Sequence, residues 1–200
     1  MTLYARRSRF EHISIKVGII FSKVGLSPNQ WTLLTLIPTF IALWYLIQAD
    51  YLLASVFFIV AAFLDMVDGA VARVMGKVTK LGAYLDTIVD RYVEAIILLG
   101  LLFTTLPDFF LPLEVWVFLF LFGGMMTTYT KAAAKEKELT VKEIKGGLLE
   151  RAERLFLLFI GILLANHTPL FLTLMVALLA ILANITAIQR IWITVKMTNK

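Results

Sequence analysis

Apolar residues run along this chain in six stretches, about 30–48, 51–74, 82–105, 112–134, 150–166 and 169–193. Each is close to the roughly 20 residues that an α-helix needs to cross a bilayer. Short breaks separate most of them: Gln48-Ala49-Asp50, Leu106-Pro107-Asp108 with Pro112, and Asn166-His167-Thr168-Pro169. A longer polar segment, Lys131 to Gly147, joins the fourth stretch to the fifth, and its Lys/Glu-rich composition suits a solvated helical extension and turn. Ahead of the first stretch, residues 5–24 carry Phe10, Ile13, Val17, Ile20, Phe21 and Val24 at spacings of three and four. Arg6, Arg7, Arg9, Lys16 and Lys23 lie among them, which is the pattern of a helix lying in the headgroup plane. Gly25 ends that helix, and Ser27-Pro28 supplies a cap and a first-turn residue for the next. The pattern therefore predicts an all-α integral membrane protein, a single domain over residues 1–200. It has six transmembrane helices and an N-terminal amphipathic interfacial helix.

Composition supports this class. Hydrophobic residues make up 60% of the chain and the mean hydropathy is +0.86, which leaves too little polar side chain to cover a soluble globule. The N-terminal 20 residues have an early basic cluster, but polar residues interrupt what would be the apolar core of a signal peptide, so they are expected in the mature chain. The absence of cysteine excludes disulfides and thiolate metal sites. The net charge of +5 does not point to nucleic acid, because the basic residues sit in alternate connections. They precede span one, lie between two and three (Arg73, Lys77, Lys80) and between four and five, and close the chain, while the other three connections have none. By the positive-inside rule both termini are cytoplasmic and the protein is expected in the cell membrane. Arg91 is the exception, and an intrahelical pair with Glu94 is its expected role. Trp31, Trp44, Trp116 and Trp192 fall near span ends, where an aromatic belt is expected. Gly123-Gly124 would permit close helix packing, within the subunit or between subunits.

The costly feature is acidic. Asp65, Asp68, Asp86 and Asp90 lie in or against membrane-length apolar runs, where an unpaired carboxylate is expensive to keep. Residues three and four apart share a helix face, so Asp65, Asp68 and Ala72 line one side of the end of span two. Gly82, Asp86 and Asp90 line the start of span three. A short cytoplasmic turn between the spans returns the second helix antiparallel, and the four carboxylates are expected to converge. Like charges this close raise one another's pKa unless a cation neutralises them, and oxygen-only ligation favours Mg²⁺, Mn²⁺ or Ca²⁺ over zinc; pairing with Arg73, Arg91 and lysines to hold the helices together is the structural alternative. Counting back from Arg73 and on from Lys80 places the site about 12–15 Å below the cytoplasmic boundary, opening to the cytoplasm through a wet cavity. Gly69 and Gly82 leave room for a ligand or a neighbouring backbone.

The run Asp65-x2-Asp68-Gly69-x2-Ala72-Arg73-x8-Gly82-x3-Asp86-x3-Asp90 resembles, without a departure, the signature of the CDP-alcohol phosphatidyltransferase family. Gly25-Leu26-Ser27-Pro28-Asn29 extends the likeness upstream. The resemblance implies a six-helix membrane enzyme, homodimeric, that transfers a phosphatidyl group from a CDP-linked lipid (CDP-diacylglycerol or CDP-archaeol) to a small polar alcohol and releases CMP. It further implies two Mg²⁺ or Mn²⁺ ions held by Asp65, Asp68 and Asp86, with Asp90 as general base that also touches the second metal. Asp68, Gly69, Ala72, Arg73 and Gly82 would surround the CDP moiety.

The acceptor must be read from other residues. Lys131, Arg151, Arg154 and Arg190 stand at the cytoplasmic ends of spans four to six and are similar to the basic pocket of the family's inositol-phosphate members. The Gly-Lys-x-Lys-Thr run of the bacterial glycerol-3-phosphate members is absent. Lys142-Glu143-Ile144-Lys145-Gly146-Gly147 occupies its place. Inositol 1-phosphate is therefore the expected acceptor, with glycerol 3-phosphate or serine as alternatives. A divalent-cation transporter is the competing class, but it would need a route to the outer face, and the outer halves of spans two and three hold no carboxylate.

Overall fold

The computed structural model describes residues 14–139 and 147–198. Arg6, Arg7, Arg9, Phe10, His12, Ile13, Lys142, Lys145 and Lys200 lie outside the described residues. Eight helices are described: α1 (residues 14–22), α2 (Pro28–Leu34), α3 (Leu36–Ile47), α4 (Tyr51–Val74), α5 (Lys80–Leu101), α6 (Leu113–Glu136), α7 (Arg151–Leu164) and α8 (Pro169–Thr198). Apart from an isolated bridge between Phe109 and Leu111, the described residues hold no β-pairing.

Four helical stretches are long and apolar enough to cross a membrane: Pro28–Ile47, Tyr51–Val74, Leu113–Glu136 and Pro169–Thr198. Large apolar side chains such as Trp44 (60% exposed) and Phe118 (64% exposed) face outward from them, as in a protein solvated by lipid. Helix α5 is long enough but carries Lys80, Asp86, Asp90, Arg91 and Glu94, and α7 has only 14 residues against the 17 expected for its span. The first expected span is interrupted at Thr35. Pro38 has no N–H to give the Leu34 carbonyl, and the Thr35 hydroxyl turns back to the Thr32 carbonyl at 2.6 Å.

The chain divides into two units, Met1–Trp44 with Val56–Ile97, and Tyr45–Ser55 with Leu98–Lys200. In the first, Trp31 of α2 and Val67 and Val71 of α4 form a core on which Val17 and Phe21 of α1 pack. The Phe21 and Trp31 rings meet edge to face at 5.3 Å. The apolar positions of α1 are thus shared out: Val17 and Phe21 face protein, while Ile20 and Val24 remain exposed. Trp31 is 7% exposed, so this residue belongs to the protein core and not to an aromatic belt. Gly25 takes a left-handed φ of 83°, ending the turn after α1, and Ser27 caps the helix that Pro28 begins, as the sequence predicts; Gln30 completes a reciprocal capping box with Ser27.

In the second unit α6 and α7 both pack against α8. Small residues set the spacing. A Cβ on Gly123 would stand 2.8 Å from the Asn184 backbone nitrogen, and one on Gly161 would stand 3.0 Å from Leu172. Asn184 Nδ2 donates across the α6–α8 contact to the Leu119 carbonyl at 2.8 Å. Gly123 therefore serves packing within the chain.

Candidate active site

Helices α4 and α5 are joined by Met75–Thr79, a turn whose geometry follows from two residues. Gly76 adopts a left-handed φ of 63°, and Lys77 N–H donates back to the Ala72 carbonyl at 2.9 Å, which terminates α4 in a Schellman arrangement. Thr79 then caps α5, its hydroxyl accepting from Gly82 N–H at 3.0 Å. The chain reverses within five residues and the two acidic helices lie side by side.

Asp65 of α4 and Asp86 and Asp90 of α5 each offer a carboxylate oxygen, and these oxygens all lie within 4.8 Å of one another. Oxygens on opposite sides of a magnesium ion stand about 4.2 Å apart, so the trio has the dimensions and the donor chemistry of a hard divalent-cation site. Convergence of all four aspartates in one cluster was expected, and here the geometry differs. Asp68 lies outside the trio, within electrostatic range of Asp65 and Asp86 and near the Thr32 side chain and the Gly69 backbone. It is 6% exposed, and its Oδ2 is buried with no hydrogen-bond partner among the described residues. A buried carboxylate oxygen left in that state fits a site completed by a cation.

Beside the trio lies a cavity of about 370 Å³. Pro28, Asn29 and Thr32 line it from α2, Asp68, Gly69, Ala72 and Arg73 from α4, Lys77, Val78 and Thr79 from the turn, and Gly82, Ala83 and Asp86 from α5. Every position expected to surround a CDP moiety thus borders one cavity. Asn29 and Thr32, and the turn residues, were not expected as site residues. The available signal was the polar Asn29, Gln30 and Thr32 at the start of the first apolar stretch. Both glycines have a steric reason: a Cβ on Gly82 would come within 3.1 Å of Thr79 Oγ1 and 3.2 Å of Asn29 Oδ1, and one on Gly69 within 3.3 Å of Arg73 Nη1. Further along α5, Arg91 pairs with Glu94 at 2.8 Å, the intrahelical pair that the sequence suggested.

The basic residues belong to the second unit. Arg154 of α7 is 1% exposed and Arg190 of α8 is 7% exposed, an unusual burial for two guanidinium groups. Arg154 and Glu150 lie within electrostatic range of Arg190, whose Nη1 donates to the Thr127 carbonyl at 2.6 Å. Lys131 of α6 and Arg151 at the start of α7 are half-buried.

The family model for CDP-alcohol phosphatidyltransferases matches residues 26–196. This chain belongs to that family. The family's archaetidylinositol phosphate synthase from Pyrococcus horikoshii is 34% identical over 177 residues, covering 88% of each chain. Two crystal structures of the phosphatidylinositol phosphate synthase of Mycobacterium tuberculosis are similar. One, with CDP-DAG bound, aligns with a TM-score of 0.80 at 28% identity over 92% of this chain and 94% of that one. The other, in complex with manganese and citrate, aligns with a TM-score of 0.81 at 28% identity over 90% of this chain and 88% of that one.

Proposed function

We propose that this family member transfers a phosphatidyl or archaetidyl group from a CDP-linked lipid to inositol 1-phosphate and releases CMP. The observation that carries the reading is the carboxylate trio of Asp65, Asp86 and Asp90 beside a cavity bordered by Asp68, Gly69, Ala72, Arg73 and Gly82.

In this reading Asp65, Asp68 and Asp86 hold Mg²⁺ or Mn²⁺, with Asp90 touching a second ion. The bound metal supplies neutralisation of the donor pyrophosphate and of the departing CMP. Arg73 contributes a guanidinium to the donor phosphates, and Gly69 and Gly82 keep the cavity wide enough for the nucleotide. The acceptor hydroxyl oxygen attacks the phosphorus that bears the lipid. Its new bond to phosphorus forms as the bond from that phosphorus to the bridging oxygen breaks. CMP leaves with the bridging oxygen, and the hydroxyl proton passes to the Asp90 carboxylate. The lipid tails stay in the bilayer throughout.

Lys131, Arg151, Arg154 and Arg190 take the phosphate of the acceptor. The burial of Arg154 and Arg190 supports this role, because guanidinium groups held out of water gain most from a doubly charged partner. The same reading makes the chain one membrane domain of six spans, with α5 and α7 crossing beside the four more apolar stretches. Both termini face the cytoplasm, the site opens to it, and the enzyme works as a homodimer in the cell membrane.

The test is CMP release by purified protein given CDP-diacylglycerol or CDP-archaeol, Mg²⁺ or Mn²⁺, and one acceptor at a time. Release with inositol 1-phosphate, abolished by EDTA, is expected. Release only with glycerol 3-phosphate or serine overturns the acceptor, and no release with any alcohol overturns the reaction.

A further inference from the structure

Arg73, next to last in α4, is exposed, and so long a side chain has many rotamers to lose before it can serve a ligand. Two contacts narrow that choice. Its Nη2 donates to the Ser14 hydroxyl oxygen of α1 at 2.7 Å, and its Nη1 lies over Gly69, one turn back on α4, where no Cβ intervenes. Ser14 can make this contact because α1 is docked against α4 one turn further along. A Cβ on Gly18 would fall 2.5 Å from the Ala70 carbonyl oxygen and 2.6 Å from Val74. Val17 and Phe21 pack on the core that includes Val67 and Val71. Ser14, Val17, Gly18 and Phe21 follow spacings of three and four, so one face of α1 carries both the docking contacts and the hydroxyl.

We infer that Ser14 is a positioning residue, which holds the Arg73 guanidinium at the wall of the nucleotide cavity and so makes affinity for the CDP group depend on the docking of α1. The inference rests on the donor role given to Arg73 above. Ser14 itself is not among the residues lining the cavity, so its effect passes through Arg73. The hydroxyl does not take part in bond making, and its loss shows in donor binding and not in the chemical step.

The experiment measures CMP release as CDP-diacylglycerol is varied at saturating inositol 1-phosphate, and CDP binding by calorimetry without turnover, on the full-length protein. Ser14→Ala is expected to raise the donor KM about tenfold and weaken CDP binding by a similar factor, with kcat held within about twofold. Ser14→Thr restores the hydroxyl and both constants. Gly18→Val, which forces α1 off α4, reproduces the Ser14→Ala effect. In an Arg73→Ala background neither substitution has any further effect on CDP binding. Unchanged KM and CDP affinity in Ser14→Ala overturn the inference, as does an equal loss of CDP affinity with and without Arg73. Absence of CMP release from the unsubstituted protein, with CDP affinity still lowered by Ser14→Ala, overturns the proposed reaction and leaves the positioning role standing.

Discussion

Asp90 sits four residues after Asp86 on α5 and meets Asp65 across from α4, so its carboxylate belongs to the charge cluster, and in the proposed reaction it takes the acceptor proton. Asp90→Asn keeps the shape and an oxygen ligand but removes the proton acceptor. CMP release should fall by about 10²–10⁴-fold, while Mn²⁺ binding, followed by electron paramagnetic resonance, should be weakened without being lost. At this scale the sequence was informative for Asp86 and Asp90, one turn apart on α5, and less so for Asp65 and Asp68 on α4. Residues at i and i+4 are about 40° apart around the axis and Asp86 and Asp90 stay together, whereas i and i+3 are about 60° apart. Asp68 stands outside the trio, near Thr32 of α2. The proximity to Thr32, like the approach of Asn29 to Gly82, joins residues on different helices, and spacing along the chain says nothing of it.

Among the elements, α6 and α8 depend on a missing side chain. Gly123→Ala places its Cβ against the Asn184 backbone nitrogen, so the helices must part and the Asn184 bond to Leu119 must lengthen. Overpacking of this kind costs about 1–3 kcal/mol, and a lowering of Tm by about 2–4 °C per kcal/mol is expected in a detergent melt. Hydrophobic patterning located the helices well, because 20-residue apolar runs have few alternatives. It could not say what covers an apolar face. Val17 and Phe21 on α1 read as lipid-facing in the sequence and turn out to face Trp31, Val67 and Val71, since lipid tails and protein cores exert the same pressure on residue choice. Patterning also missed the break at Thr35, which arises from a proline three residues later and a threonine hydroxyl, neither of which interrupts hydropathy.

For the molecule as a whole, the number of crossings turns on α5 and α7. With six spans, Asp108 lies outside and Lys137 inside the cell; if only the four most apolar stretches crossed, both assignments would reverse. The natural absence of cysteine makes the test direct. Asp108→Cys should react with a membrane-impermeant maleimide on intact cells, and Lys137→Cys should react only after the membrane is opened. The way α1 is fastened has a further consequence for the molecule. A peripheral helix held to a bilayer by its lysines alone loosens as ions accumulate around them, because exposed charges more than about 8 Å apart are largely screened at physiological salt. Here Val17, Gly18 and Phe21 are held by close packing and Ser14 by a short contact, none of which depends on distant charge. The docking of α1 on α4 therefore depends little on the ionic strength of the surrounding water, whereas the exposed Arg73 guanidinium remains open to screening.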